Sequence, residues 1–418
     1  MGSMGQKSLR VLISGAGVAG PSLSFWLTRL GHPCTIVERS GQLRASGQQI
    51  DLREQGVEAA DRMGLLNEIR KIAVNEAGIR FVDTKGTPYA TFPRVESQPG
   101  QVARRQNFTS EFEVMRGDMC RLLYEKTRDS TKYMFGKYVT EFQNKEDRVD
   151  VTFSDGDKAS YDMVVAADGQ SSRIRRLLLK DEDPSVDYSR DLGVYFSYFT
   201  IPRQPGDTNM ATLHIAPGER ALSTRFHSDT HGQGYLATMA HADQIKKVLG
   251  QDVVAQKALY ADMFRGAGWQ SDRLIKAMME SQDFYTHSAT QIRSKIWHKG
   301  RIVLLGDAGY APTPLTGMGT SLAMVGSHIL AGEIAKCPED PAKAFRAYEA
   351  VLRPYVDKTQ DVSQTLRDMM LPKKAWGIKM LQIMLSASEK LKLNKLMEMS
   401  WFDSKVGWEM PRYPQLRI

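Results

Sequence analysis

Three separated glycine-anchored segments carry residue types that could bind a dinucleotide. The first is Gly15-Ala16-Gly17-Val18-Ala19-Gly20. It follows an apolar run, Val11-Leu12-Ile13, and opens a helix-like run, Pro21-Ser22-Leu23-Ser24-Phe25-Trp26-Leu27. A second apolar run, Cys34-Thr35-Ile36-Val37, ends on Glu38, with Arg39 beside it. In the order strand, glycine turn, helix, strand, acid, this is the dinucleotide fingerprint in its required context. The glycines permit a tight turn and close backbone approach to a pyrophosphate, and the helix N-terminus offers that anion free N–H groups. Glu38 stands about 20 residues on, where a carboxylate accepts from ribose hydroxyls and repels a 2′-phosphate. The site therefore suits FAD or NAD better than NADP.

The second segment is Ala167-Asp168-Gly169-Gln170-Ser171-Ser172-Arg173-Ile174-Arg175, after the buried-type run Met163-Val164-Val165-Ala166. An Asp-Gly turn at a strand end brings backbone close to a ligand, and Arg175 is suited to fix the turn or reach a phosphate. The third runs from Gly306-Asp307 through Pro312-Thr313-Pro314 to Gly317-Met318-Gly319-Thr320. A strand, Arg301-Ile302-Val303-Leu304-Leu305, delivers Asp307 at its carboxyl end, where a carboxylate accepts from a polyol hydroxyl. The prolines stiffen the loop, and Gly317-Met318-Gly319 opens a helix whose dipole favours an anionic reduced flavin.

The elements around these segments read as a discontinuous α/β unit. Strand, helix, strand, loop and helix patterns fill 10–75. A helical stretch covers 113–130, and strands surround Arg148-Val149-Asp150-Val151-Thr152-Phe153. From 181 to 290 alternating β patterns such as Gly193-Val194-Tyr195-Phe196-Ser197-Tyr198-Phe199 dominate, with a helical stretch between Ala240 and Met279. The expected organisation is a Rossmann-like dinucleotide domain built from 5–75, 111–180 and 286–365. An antiparallel-sheet substrate domain, 76–110 and 181–285, is inserted in it, and 366–418 forms a C-terminal helical segment. That last stretch is rich in Leu, Met and Lys. Packing on the nucleotide domain or closing the substrate cleft is the favoured reading over a membrane-surface helix.

The chain has 418 residues, enough for two or three domains, and a net charge of +8. The charge fits phosphate-bearing cofactors, an acidic substrate or a membrane surface, and a solvated basic surface is the favoured reading. No nucleic-acid motif occurs. No apolar run approaches the roughly 20 residues of a spanning helix. Met1-Gly2-Ser3-Met4 reads as an added leader, and no signal peptide is expected. Cys34, Cys120 and Cys337 are widely spaced, which points to a reducing, cytoplasmic setting without a disulfide or zinc framework. His227 and His231 lie four apart without a third ligand, so no metal is expected.

In this order and spacing, the three segments resemble the FAD-dependent monooxygenases of the para-hydroxybenzoate hydroxylase (PHBH) type across residues 8–360. Arg44-Ala45-Ser46-Gly47-Gln48-Gln49-Ile50-Asp51-Leu52 and Glu113-Val114-Met115-Arg116-Gly117-Asp118-Met119 look most like tetracycline-inactivating monooxygenases and fungal secondary-metabolism hydroxylases. The resemblance implies that Asp51, Arg116 and Asp307 contact FAD, and that Arg44 lies near the flavin phosphates or the incoming NADPH. The Gln98–Arg105 stretch is expected on the same nicotinamide-facing side. Two positions depart from the family pattern: Gly309-Tyr310 stands where Ala-His is frequent, and Thr320-Ser321 where an Asn is common.

The implied reaction is reduction of FAD by NADPH or NADH, then addition of O2 to give a flavin C4a-hydroperoxide. Its distal oxygen passes to an electron-rich aromatic or polyketide/enol substrate. With no second dinucleotide motif, the nicotinamide docks transiently. A general base for the substrate hydroxyl is sought in the second domain, where Arg225 and His227 share a strand face if that segment is β. Arg225 would anchor an anionic or enolate oxygen and His227 would take a proton. Tyr195 and Tyr198 have opposite parity, so at most one faces the pocket. Antibiotic inactivation is one form of this chemistry. The rivals are a reductase or oxidase that transfers no oxygen, and a ligand-sequestering flavoprotein; oxygen incorporation separates them. A monomer or homodimer is expected.

Overall fold

The computed structural model describes residues 8–43, 47–94, 110–391 and 408–417. Its central sheet runs, edge to edge, His298–Lys299, Ile302–Leu304, Met163–Ala166, Val11–Ser14, Cys34–Glu38 and Thr131–Phe135. All neighbours are parallel except the His298–Lys299 edge. A parallel sheet is covered on both faces, so its strands read as unbroken apolar runs. Val11 and Ile13 face the helices Ala19–Arg29 and Gly319–Lys336, whereas Leu12 faces an antiparallel meander of Val139–Asn144, Val149–Phe153 and Lys158–Tyr161.

The Gly319–Lys336 helix is apolar around its whole circumference and buried from Ser321 to Ala335, as a helix wedged inside a core must be. Gly326 and Gly332 let Tyr310 and Tyr413 pack against it; a Cβ at either would fall 2.2 Å from the Tyr310 hydroxyl or 2.3 Å from the Tyr413 ring.

A second sheet of seven strands runs Tyr285–Ser294, Asp187–Pro202, His231–Thr238, Arg220–Phe226, Met210–Ala216, Gly78–Val82 and Pro88–Pro93. It is antiparallel except where Met210–Ala216 meets Gly78–Val82. The period-2 pattern divides its faces. Tyr195, Phe199, Leu222, Phe226 and Leu236 pack on the helices Ala242–Leu249, Val253–Phe264 and Ser271–Glu280. Phe196, Leu213 and Ala237 face the opposite way, toward Leu315 and Met370. Tyr285–Ser294 belongs to this sheet through a long ladder with Asp187–Pro202, so the expected switch of domain at residue 286 falls inside a substrate-sheet strand. The fold class is the expected one: a parallel nucleotide-type sheet, an inserted antiparallel-rich sheet, and C-terminal helices. Of those helices, Ala375–Lys390 lays Ile378, Leu381 and Leu385 on Phe81, Phe92 and Ile215.

Candidate active site

The first glycine segment folds as a turn that leaves no room for a side chain at Gly15 or Gly20. Gly15 has φ +113°, and a Cβ there would sit 2.3 Å from the Ala167 carbonyl oxygen; at Gly20 it would meet the Gly15 carbonyl at 2.1 Å. At Gly17 the nearest atom to such a Cβ is Arg116 Nη2, 3.7 Å away, so this side of the turn is open. The Ala19–Arg29 helix begins just after Val18 with neither a side-chain cap nor an acid in its first turn. Its N–H groups and dipole are thus left for an anion. Glu38 binds the loop as well as standing beside it: its two carboxylate oxygens accept from the Ala16 and Ser40 amides, each at 3.0 Å. Each oxygen keeps a second lone pair. Arg39 is exposed. Arg44 and the Gln98–Arg105 stretch lie outside the described residues.

In the second segment Asp168 is occupied as a helix cap. It accepts from Ser172 Oγ at 2.5 Å and from the Arg173 amide at 2.8 Å, ordering the Arg173–Leu178 helix. Burial raises its carboxyl above the usual range, and those hydrogen bonds pull it back. Arg175 is buried and joins three segments. It donates to the Ala308 and Gln170 carbonyls at 2.7 and 2.9 Å and pairs with Asp187 at 2.8 Å.

The third segment places Asp307 at the mouth of a short helix, after Gly306 turns with φ +63° against Ala19. Asp307 is solvent-exposed yet surrounded by protein, as at the floor of a cleft. That enclosure raises its carboxyl above the ordinary value, while Arg116 pulls it down. Arg116 rests on Gly47, where a Cβ would lie 3.1 Å from its own, and extends to Gly17. No carboxylate forms an ion pair with its guanidinium among the described residues, so its charge stays available to a phosphate between Gly17 and Asp307. Thr313 is buried at φ +90°, strained for a β-branched residue, just before Pro314. Gly317, at φ +64°, lets Arg53 pass. Asp51 holds that arginine at 2.5 Å and accepts from Ser110 Oγ, so its carboxylate positions neighbours. Met318 is buried, Gly319 and Thr320 half-buried, at the uncapped start of the Gly319–Lys336 helix.

Opposite this loop the second sheet presents an aromatic wall. Tyr198 and Tyr285 stack at 5.0 Å, Tyr198 and His287 at 5.4 Å, and Phe196 lies 6.0 Å from His287. Tyr235 meets Tyr198 edge-on at 5.0 Å. Tyr285 donates to Gln48 Oε1, and Gln233 accepts from the Gln49 amide at 3.1 Å while donating to the Gly47 carbonyl at 3.1 Å. These bonds fasten the Gly47–Gln49 segment to the wall. Tyr195 points away, into the helices.

Arg225 is not free to anchor a substrate oxygen. It donates to Glu76 at 2.9 and 2.6 Å and to Glu113, both buried acids. Burial pushes the Glu113 carboxyl well above the usual range, and the Arg225 guanidinium opposes that shift. His227 lies just past the end of the Arg220–Phe226 strand, half-buried, with its ring pushed below the ordinary pKa by burial. The acids that claim Arg225 come from a linker and from the segment before Arg116, and no local pattern announces them.

The FAD binding domain family matches residues 8–368. The chain is 35% identical over 428 residues to FAD-dependent monooxygenase asL4 of Sarocladium schorii, across 98% of this chain and 99% of that protein. It is 38% identical over 398 residues to flavin-dependent monooxygenase eupH of a Phoma species, across 90% of each. The crystal structure of tetracycline destructase Tet(55) superposes with a TM-score of 0.80 at 29% identity, over 97% of this chain and 99% of that one.

Proposed function

Since the chain belongs to the FAD binding domain family and is a flavin-dependent monooxygenase, we propose that it uses NADPH or NADH and O2 to hydroxylate an electron-rich aromatic or polyketide/enol substrate. The observation that carries this reading is the aromatic wall of Tyr198, Tyr285 and His287, with the Pro314–Thr316 turn against the same Tyr285–Ser294 strand; such a wall offers a flat, apolar molecule a surface to stack on. Ligand sites are mostly apolar with a few placed polar groups.

The residues present fit FAD. The Gly15–Gly20 turn and Arg116 would take the pyrophosphate, Glu38 the ribose, and Asp307 a hydroxyl of the polyol chain. The uncapped N-terminus of Gly319–Lys336 would face the flavin ring. Asp168 contributes by holding its turn, and Asp51 by holding Arg53 beside Gly317. FAD supplies the redox chemistry and the activation of oxygen.

The protein's task is to exclude water and fix the substrate. Leu315, Met370 and Phe196 join one apolar cluster, which shields this side of the wall from water. Helix Ala375–Lys390 covers the opposite edge of the same sheet, at Gly78–Val82 and Pro88–Pro93. Tyr285, tied to Gln48, holds the wall at a set distance from the segment that carries Arg116. Inactivation of a tetracycline-like enol is one version of this chemistry, favoured by the similarity to Tet(55).

The test is anaerobic mixing of the FAD-loaded protein with NADPH and with NADH, without and with phenolic and polyketide ligands, followed by turnover under isotopically labelled O2. Label in the organic product is the expected result. Flavin reduction with no label in any product would instead mark a reductase or oxidase.

A further inference from the structure

On the wall that faces the third-segment loop, one titratable side chain presents an open nitrogen. His287 lies on the Tyr285–Ser294 strand, directly across from Phe196. Its Nδ1 is 3.0 Å from the Ser288 carbonyl. A carbonyl only accepts, so in the neutral ring Nδ1 carries the hydrogen and Nε2 presents its lone pair. Among the described residues no donor meets that Nε2.

The ring is held in place from three sides. It is 7° from parallel with Tyr198, 12° from parallel with Tyr285, and tilted 37° to Phe196. Phe196 shares an apolar cluster with Leu315 of the third segment and with Met370. The imidazole therefore stands in the aromatic wall, half-buried, where the proposed flat substrate would stack. Its titratable neighbours are the phenols of Tyr198 and Tyr285; among the described residues no carboxylate or cation shifts its charge. Burial lowers its pKa, with the Ser288 bond opposing, which leaves the ring neutral near pH 7.

We propose that His287 is the general base that accepts the hydroxyl proton of the phenol or enol substrate. This rests on the hydroxylase reading above. The substrate O–H bond breaks, its proton passes to Nε2, and its electron pair stays on oxygen. The resulting oxyanion pushes electron density onto the ring or enol carbon that receives oxygen. The imidazolium later returns the proton to water, restoring the neutral tautomer. His287 takes this role in place of His227.

The experiment uses the oxidised, FAD-loaded protein and 4-nitrophenol, whose ionisation is visible in its own absorbance. The bound probe is titrated with pH against free probe. In the wild type the bound phenol is expected to ionise about one pH unit lower than free, a tenfold change in acid constant. His287→Phe keeps a stacking ring but no nitrogen, and His287→Gln keeps an acceptor that is not a base. Both are expected to bring the probe back to its free titration with flavin content unchanged. A wild type that leaves the titration unchanged, bound or not, overturns the assignment, as does a shift that persists in both variants. Since neither reductant nor turnover is involved, this outcome is independent of the labelled-oxygen result.

Discussion

Arg225 illustrates how a charged residue in a pocket-facing strand can be spent on structure. One guanidinium serves two buried acids, Glu76 and Glu113. Arg225→Met strips both of their counter-charge, and the expected loss is about 3–5 kcal/mol, read by denaturant unfolding. Pairing it with Glu76→Gln should recover part of that loss. Glu113 gives the pH signature. Its folded-state pKa is raised above the ordinary 4.5, so the native state binds this proton more tightly than the unfolded chain. Its contribution is complete below that value and is lost as pH rises through the raised one. Glu113→Gln is expected to flatten the fall in melting temperature across that window. At Gly15 the constraint is steric. Gly15→Ala drives a Cβ to 2.3 Å from Ala167 O at a φ of +113°, and the purified protein is expected to lack bound flavin absorbance.

Among the elements, the Ala375–Lys390 helix is attached along its inner face through Ile378, Leu381 and Leu385, and Ser386 Oγ donates to the Tyr89 carbonyl at 2.7 Å. Burying such a side chain contributes about 1.5–3 kcal/mol. Leu381→Asp with Leu385→Asp is expected to release the helix, raising the substrate KM while flavin content and the reduction rate without substrate stay the same. Steady-state kinetics beside a flavin titration checks this. The glycine segments are legible in the sequence because each acts locally: a turn, a strand end and a helix start lie within a few residues. The role of Asp168 is less so, since a strand-end carboxylate serves equally as a ligand contact or a helix cap. The wall is not legible at all. Tyr285 meets Gln48 across 237 residues, and His287 meets Phe196 only through the pairing of two distant strands. Alternation along Tyr285-Thr286-His287 is the available signal; it indicates a shared face without saying what that face meets.

For the whole molecule, the order of strands in the central sheet sets how it must be made. Val11–Ser14 lies between Cys34–Glu38 and Met163–Ala166, and Ile302–Leu304 closes on the latter. The glycine turn after the first strand is braced by Ala167, and Arg175 reaches Ala308. Contacts this far apart in sequence are slow to form and expose unpaired edges while they wait. During synthesis, the first strand therefore has no complete sheet to join until Leu304 has left the ribosome. Nascent chains halted before that point should be digested readily by protease whether or not FAD is supplied, and longer ones should gain protection from it. The cofactor cradle is thus a late-maturing feature of the nascent chain, although its first glycines are among the earliest residues made.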